Sequence, residues 1–224
     1  MTTLRHRKEQ MNIHKLYGLI FRVWRARRMK LFERIIRPRP DEILLDVGGY
    51  AATWTPLPQQ VKRIDCLNVH PVSWDSATAP NHTIALVLGD GCALDYADQS
   101  YDILFSNSVI EHVGDWNRQS AFASECRRVG KRIWVQTPAY ECPIEPHYLA
   151  FGVHWLPAGV QRRILRWFSL WGWISKPDQS KIDEMVATTH LLTKKQVQEL
   201  FPDCTIMTER LFGVFRKSYI AYRG

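Results

Sequence analysis

The 224-residue chain has no Cys-x-x-Cys pair, no Gly-x-Gly-x-x-Gly turn, no internal repeat and no low-complexity tract. Each absence removes a class of protein. Its five cysteines, Cys66, Cys92, Cys126, Cys142 and Cys204, are odd in number and unpaired in spacing, so neither a disulfide framework nor a zinc site is expected. Reduced thiols in a cytoplasmic protein are the expectation. No stretch reaches the ~18 apolar residues of a membrane span, and the N-terminus carries charges without a signal-peptide core. The missing glycine fingerprint argues against a nicotinamide or flavin dinucleotide.

What is present is a globular composition, 46% hydrophobic and 23% charged, with enough length for one well-buried domain and an insertion. The net charge of +8 is segregated. Residues 1–39 hold twelve Lys/Arg against two Glu, which leaves the remaining chain at −2. Basicity confined to an arm argues against a nucleic-acid enzyme, whose positive surface should line its active face. From Ile13 to Ile36, Leu16, Ile20, Val23, Trp24, Met29 and Phe32 recur among arginines at roughly helical spacing. The spacing predicts a basic amphipathic helical arm over 1–39, stopped by Arg37-Pro38-Arg39-Pro40. Such an arm packs on the domain with its arginines solvated, caps the ligand, or touches a peripheral membrane surface or another subunit. It is expected to be dispensable for folding of the sheet and needed for turnover.

Beyond residue 40 the pattern alternates. Strands are expected in Glu42–Val47, Val61–Val69, His82–Gly89, Tyr101–Asn107 and Lys131–Pro138, with a helix over 117–130 between the last two. The alternation predicts an α/β, doubly wound, mainly parallel sheet in a single domain over 40–224. About 139–180 the rhythm breaks into a Pro-, Trp- and His-rich helical insertion, too long for a plain connection and expected as a lid. Thr193 is the expected N-cap of a helix, followed by two antiparallel closing strands.

The first strand ends in Asp46-Val47-Gly48-Gly49. A pyrophosphate needs uncovered backbone amides and no carboxylate. Here Asp46 repels phosphate while Tyr50 and Ala52 crowd the approach, whereas a ligand with a cationic amine and no phosphate suits the same turn. Asn68, at the end of the second strand, is the preferred ribose contact, since an amide both accepts and donates. Asp65 is its alternative, on the opposite strand face.

From Val87 to Val113 the elements Gly89-Asp90, Leu94, Asp98, Ser100-Tyr101-Asp102, Ser106-Asn107-Ser108 and Glu111-His112 resemble class I S-adenosylmethionine-dependent methyltransferases of the type-11 group. The resemblance runs from about residue 40 to the end. It departs from the family at the glycine turn and at Asn68. It implies a seven-stranded Rossmann-like sheet with an antiparallel last strand, and S-adenosyl-L-methionine as cofactor. It also implies Asp90 on the adenine amine, Gly91 and Cys92 along the ring edge, and Asn107 and Ser108 beside the cofactor.

The reaction expected is methyl transfer to a small-molecule acceptor, such as a metabolite, natural-product or glycan or lipid precursor. An oxygen nucleophile is preferred and nitrogen is the competitor; a catalytically silent cofactor-binding subunit is the rival from outside enzymology. Glu145, His147, Tyr148 and His154 fall within ten residues, bracketed by Pro143, Pro146 and Pro157. His147 is the preferred base, steered by Glu145, and His112 is its rival. Tyr148, His154 and Trp155 are candidate substrate contacts. Lacking an i, i+4 ligand pair, Glu145, His147 and His154 are not read as a metal site. The insertion's tryptophans are expected to form its small core, with a substrate pocket or a lipid interface as alternatives.

Overall fold

The computed structural model describes residues 24–54, 57–58, 60–72 and 82–224. The first part of the expected 13–36 helix lies outside them. Helix α1 covers 24–36, and strands β1 (Ile43–Val47), β2 (Arg63–Asn68), β3 (Ile84–Leu88) and β4 (Tyr101–Asn107) follow. Helix α2 (Trp116–Val129) leads to β5 (Gly130–Pro138). The short β6 (Ile144–Glu145) and β7 (Ala150–Phe151) precede α3 (Ala158–Phe168), α4 (Leu170–Ser175) and α5 (Gln179–Thr188). Helix α6 (Lys194–Leu200), β8 (Thr205–Leu211) and β9 (Phe215–Arg223) close the chain.

The main sheet has seven strands in the order β3-β2-β1-β4-β5-β9-β8. The first five pair in parallel, while β9 runs antiparallel to both β5 and β8. This is the doubly wound sheet with an antiparallel last strand that the sequence predicts. Burial explains the composition of its centre. Leu44, Leu45, Ile103, Leu104 and Phe105 are fully or almost fully buried, as expected for strands covered on both faces. At the edge, Leu86 and Leu88 of β3 are exposed.

The helices carry their own start signals. Asp115 caps α2 by accepting from the Arg118 amide at 3.0 Å. Thr193 and Gln196 form a reciprocal capping box on α6, confirming the N-cap read from sequence. Among the described residues no helix is long and apolar enough to cross a membrane.

The chain divides into two compact units. The sheet unit comprises Glu33–Glu141 and His190–Gly224. Its chain departs after β5 and returns at His190, whose amide donates to the Glu111 carbonyl at 2.7 Å and whose carbonyl accepts from Gln119 Nε2 at 2.9 Å. The second unit comprises Cys142–Thr189 with the described residues up to Phe32. Its core joins Tyr148, Ala150, Val153, Leu165 and Ile182, with Ile164, Trp171, Met185 and Val186 packed against them. The helical segment therefore extends past residue 180, because α5 supplies part of that core.

Candidate active site

In the sheet unit the strand order reverses between β1 and β4, and ligands of such sheets lie outside the carboxyl ends of the strands at that point. The β1 turn is tight. Gly48 has φ +74° and donates to the Leu67 carbonyl at 2.7 Å. A Cβ on Gly48 would lie 2.5 Å from Val109, and one on Gly49 only 1.9 Å from the Asp46 carboxylate. Both glycines are thus demanded by the protein's own packing.

Asp46 lies beneath this turn, 1% exposed, and accepts from Trp54 Nε1 at 2.8 Å. Burial pushes its carboxyl up to about 7, against the opposing pull of the Trp54 hydrogen bond. Trp54 is a partner that the motif around the β1 turn does not mark. The available signal was an indole N–H just after a glycine turn, a donor that needs an acceptor once buried.

Asn68 donates from Nδ2 to the Gly49 carbonyl at 2.7 Å, which fixes its side chain at the end of β2 and orients its amide oxygen as an acceptor. Asp65 is otherwise engaged. It is buried and accepts from Arg63 Nε at 2.6 Å and from the Tyr101 hydroxyl at 2.8 Å. Those bonds favour Asn68 of the two alternatives.

After β3, Asp90 accepts from the Cys92 amide at 2.9 Å and from Arg118 Nη2 through both oxygens, at 3.0 and 2.9 Å. The Cys92 amide and the Arg118 guanidinium hold the Asp90 carboxyl below the usual carboxylate range. The Cys92 N–H is thus engaged with Asp90 inside the turn. Gly91 is buried, and a Cβ there would approach Val47 and Phe122 at 2.8 and 2.9 Å. Arg118, 28 positions from Asp90, left no local sign of this pairing.

Asn107 ends β4 opposite Gln136. Ser108 adopts φ +58°, uncommon for a residue with a side chain, and is held there by two bonds to Gln136. Its amide donates to the Gln136 carbonyl at 2.9 Å and its hydroxyl to Gln136 Oε1 at 3.0 Å. Gln136 thus fixes a strained backbone position at the switch point. His112 is exposed on the 3-10 turn Ile110–His112, while its neighbour Glu111 is buried and accepts from the Thr137 hydroxyl at 3.0 Å.

The second unit holds the other candidates. Buried Glu145 accepts from the His147 and Tyr148 amides at 2.8 and 3.0 Å, and its second oxygen contacts His147 Nδ1. One carboxylate closes the turn and grips the imidazole, as the Glu-x-His spacing suggests. Tyr148, expected at a substrate, is 2% exposed in the unit's core, where ring burial accounts for it. His154 is also buried, with its ring 4.9 Å from that of exposed Trp155. Of the three expected substrate contacts, Trp155 is the accessible one.

The donor set of the sheet unit fits S-adenosylmethionine. An acid beneath the β1 turn, an amide oxygen at the end of β2 and a carboxylate after β3 stand at the ends of three adjacent strands, each ~4.8 Å from the next. In order, they are groups of the kind that an ammonium, a ribose hydroxyl pair and an exocyclic amine would require.

No curated protein matches the chain by sequence. Among solved structures it is similar to a protein described as a sarcosine dimethylglycine methyltransferase from Galdieria sulphuraria, with a TM-score of 0.51 and 20% identity. That match covers 86% of this chain and 63% of the other, so the chain spans less than two thirds of that protein's length. A protein described as exported in Bordetella parapertussis matches at TM-score 0.58 and 14% identity, covering 91% and 68%. A Pyrococcus horikoshii protein matches at TM-score 0.52 and 15% identity, covering 90% and 89%. These likenesses concern the fold. Residues 45–132 match the family described as a methyltransferase domain, the stretch from β1 into β5 that holds the β1 turn, Asn68, Asp90 and Ser108. Over residues 45–132 the chain is therefore similar to a methyltransferase domain, set in a fold that it shares with these solved structures.

Proposed function

We propose that this protein methylates a small-molecule acceptor, with an oxygen nucleophile preferred over nitrogen. The observation that carries the reading is the Glu145–His147 pair. A carboxylate only accepts, so the contact to Nδ1 assigns the ring hydrogen to that nitrogen and the basic lone pair to Nε2. A hydroxyl acceptor needs such a base far more than an amine that is already neutral. When bound, S-adenosylmethionine would supply an electrophilic methyl carbon on a sulfonium sulfur. The chain's own residues then have three tasks. Asn68 and Asp90 bind and orient, Asp46 provides negative charge beneath the turn, and His147 takes the acceptor's proton. Alignment supplies much of the remaining rate.

The test is a single-turnover assay with methyl-labelled cofactor against a metabolite extract, followed by kinetics on the labelled acceptor. His147→Ala should lower turnover by ~10²–10⁴ with cofactor affinity intact, and His147→Gln should not rescue it. The same loss in His112→Ala instead would move the base to the β4 loop. A few-fold loss in both, flat with pH, would leave alignment alone as the mechanism.

A further inference from the structure

The insertion unit places two tryptophans where its own core does not use them. Trp171 packs against the core, but Trp167 is 66% and Trp173 63% exposed. On α3, Val160, Arg163 and Trp167 stand at i, i+3 and i+7, the stripe opposite fully buried Leu165. Trp173 Nε1 donates to the Trp167 carbonyl, which brings the start of α4 back to the end of α3. The Arg166 guanidinium lies 6.0 Å from the Trp167 ring centroid. Phe168 beside them is exposed as well.

The charge on this segment has one sign. Between Glu145 and Asp178 the sequence contains Arg162, Arg163, Arg166 and Lys176 and no acidic residue. Among the described residues Asp183 lies 3.8 Å from Arg162, and no ion pair is found for the other three. Indole rings with a polar N–H edge, beside arginines with apolar stems, are the side chains that settle at the headgroup level of a bilayer. Helix α3 has 11 residues, about half of what a span requires, so it would lie along such a surface rather than cross it.

We propose that the exposed face of α3 and α4 docks on a bilayer surface containing anionic phospholipid. The cations select the negative headgroups, and Trp167, Phe168 and Trp173 enter the interface.

The experiment is co-sedimentation of the full-length protein with vesicles of phosphatidylcholine alone and of phosphatidylcholine mixed with phosphatidylserine. Binding is expected on the mixed vesicles and should be largely lost in the Trp167→Ser, Trp173→Ser double variant with an unchanged thermal transition. Arg163→Glu, at an exposed position, should weaken binding about fivefold per unit of charge and keeps the test open should the double variant misfold. Phe212→Ser with Val214→Ser, at the exposed tip between β8 and β9, should bind as the parent does. The proposal fails if no binding to the mixed vesicles occurs. It also fails if binding survives the tryptophan changes, which would assign it to the basic N-terminal segment, or if it is lost only with the hairpin-tip pair. Self-association of the parent that the tryptophan changes abolish, without vesicle binding, would identify the face as a contact between two copies and overturn it.

Discussion

Asp46 shows what burial does to an acid at the mouth of a tight turn. Its carboxylate is buried with an indole N–H for a partner, and burial outweighs that hydrogen bond and lifts its pKa to about 7. The unfolded value is ~3.9, so between about pH 4 and 7 the folded chain binds more protons than the unfolded chain. Stability must then fall as pH rises through that window and level off above it, by an order-of-magnitude ~4 kcal/mol for a shift of about three units. Asp46→Asn keeps an acceptor for Trp54 and removes the charge. Urea unfolding should find the variant more stable than the parent at about pH 8, with the gap closing toward about pH 5. A gap independent of pH would mean the acid is solvated. The sequence made Asp46 legible as an acid at the mouth of a turn. Its descent beneath Gly49, and its bond to Trp54, depend on how the turn closes, which no spacing encodes.

At the scale of elements, periodicity carried most of the information. Two-sided burial makes Ile43-Leu44-Leu45 of β1 and Ile103-Leu104-Phe105 of β4 short apolar runs, and the Thr193–Gln196 box announces α6 within four residues. The insertion was legible as a break in rhythm but not in its packing, because one chain segment offers more aromatic surface than a small core can absorb. Trp171 entered the core while Trp167 and Trp173 did not. The basic arm is the other mixed case. Helix α1 buries Met29, Phe32 and Ile36, and Arg132 Nη1 donates to the Ile36 carbonyl at 2.6 Å. Charge counts over the first 39 residues do not register which side of this helix is buried. Phe32→Ala should therefore cost ~3–5 kcal/mol in chemical denaturation. A cost below ~1 kcal/mol would show that the helix contributes little to the fold.

For the whole molecule, strand order sets out the candidate site more than any single motif does. With β1 and β4 adjacent at the reversal, the carboxyl ends of β1, β2 and β3 stand side by side and carry Asp46, Asn68 and Asp90 in that order. A nicotinamide dinucleotide would bring its pyrophosphate against the β1 turn. There it would meet the Asp46 charge, and the first short helical turn, Ala51–Thr53, follows Tyr50 with no run of glycines to bare the amides. S-adenosylmethionine has no phosphate and presents a cationic amine at the same place. Calorimetry should accordingly find binding of S-adenosylmethionine and S-adenosylhomocysteine, and none of NADH. Asp46→Ala should weaken the former by ~1.5–3 kcal/mol, the range for a hydrogen bond to a charged group. Because an arriving ammonium favours the ionised carboxyl, the parent's affinity should also decline as pH drops below about 7, and the Asp46→Ala protein should lose that dependence. NADH binding with comparable strength would remove the turn's discrimination. An Asp46→Ala protein with full affinity and the same pH profile would show that the acid serves the fold alone.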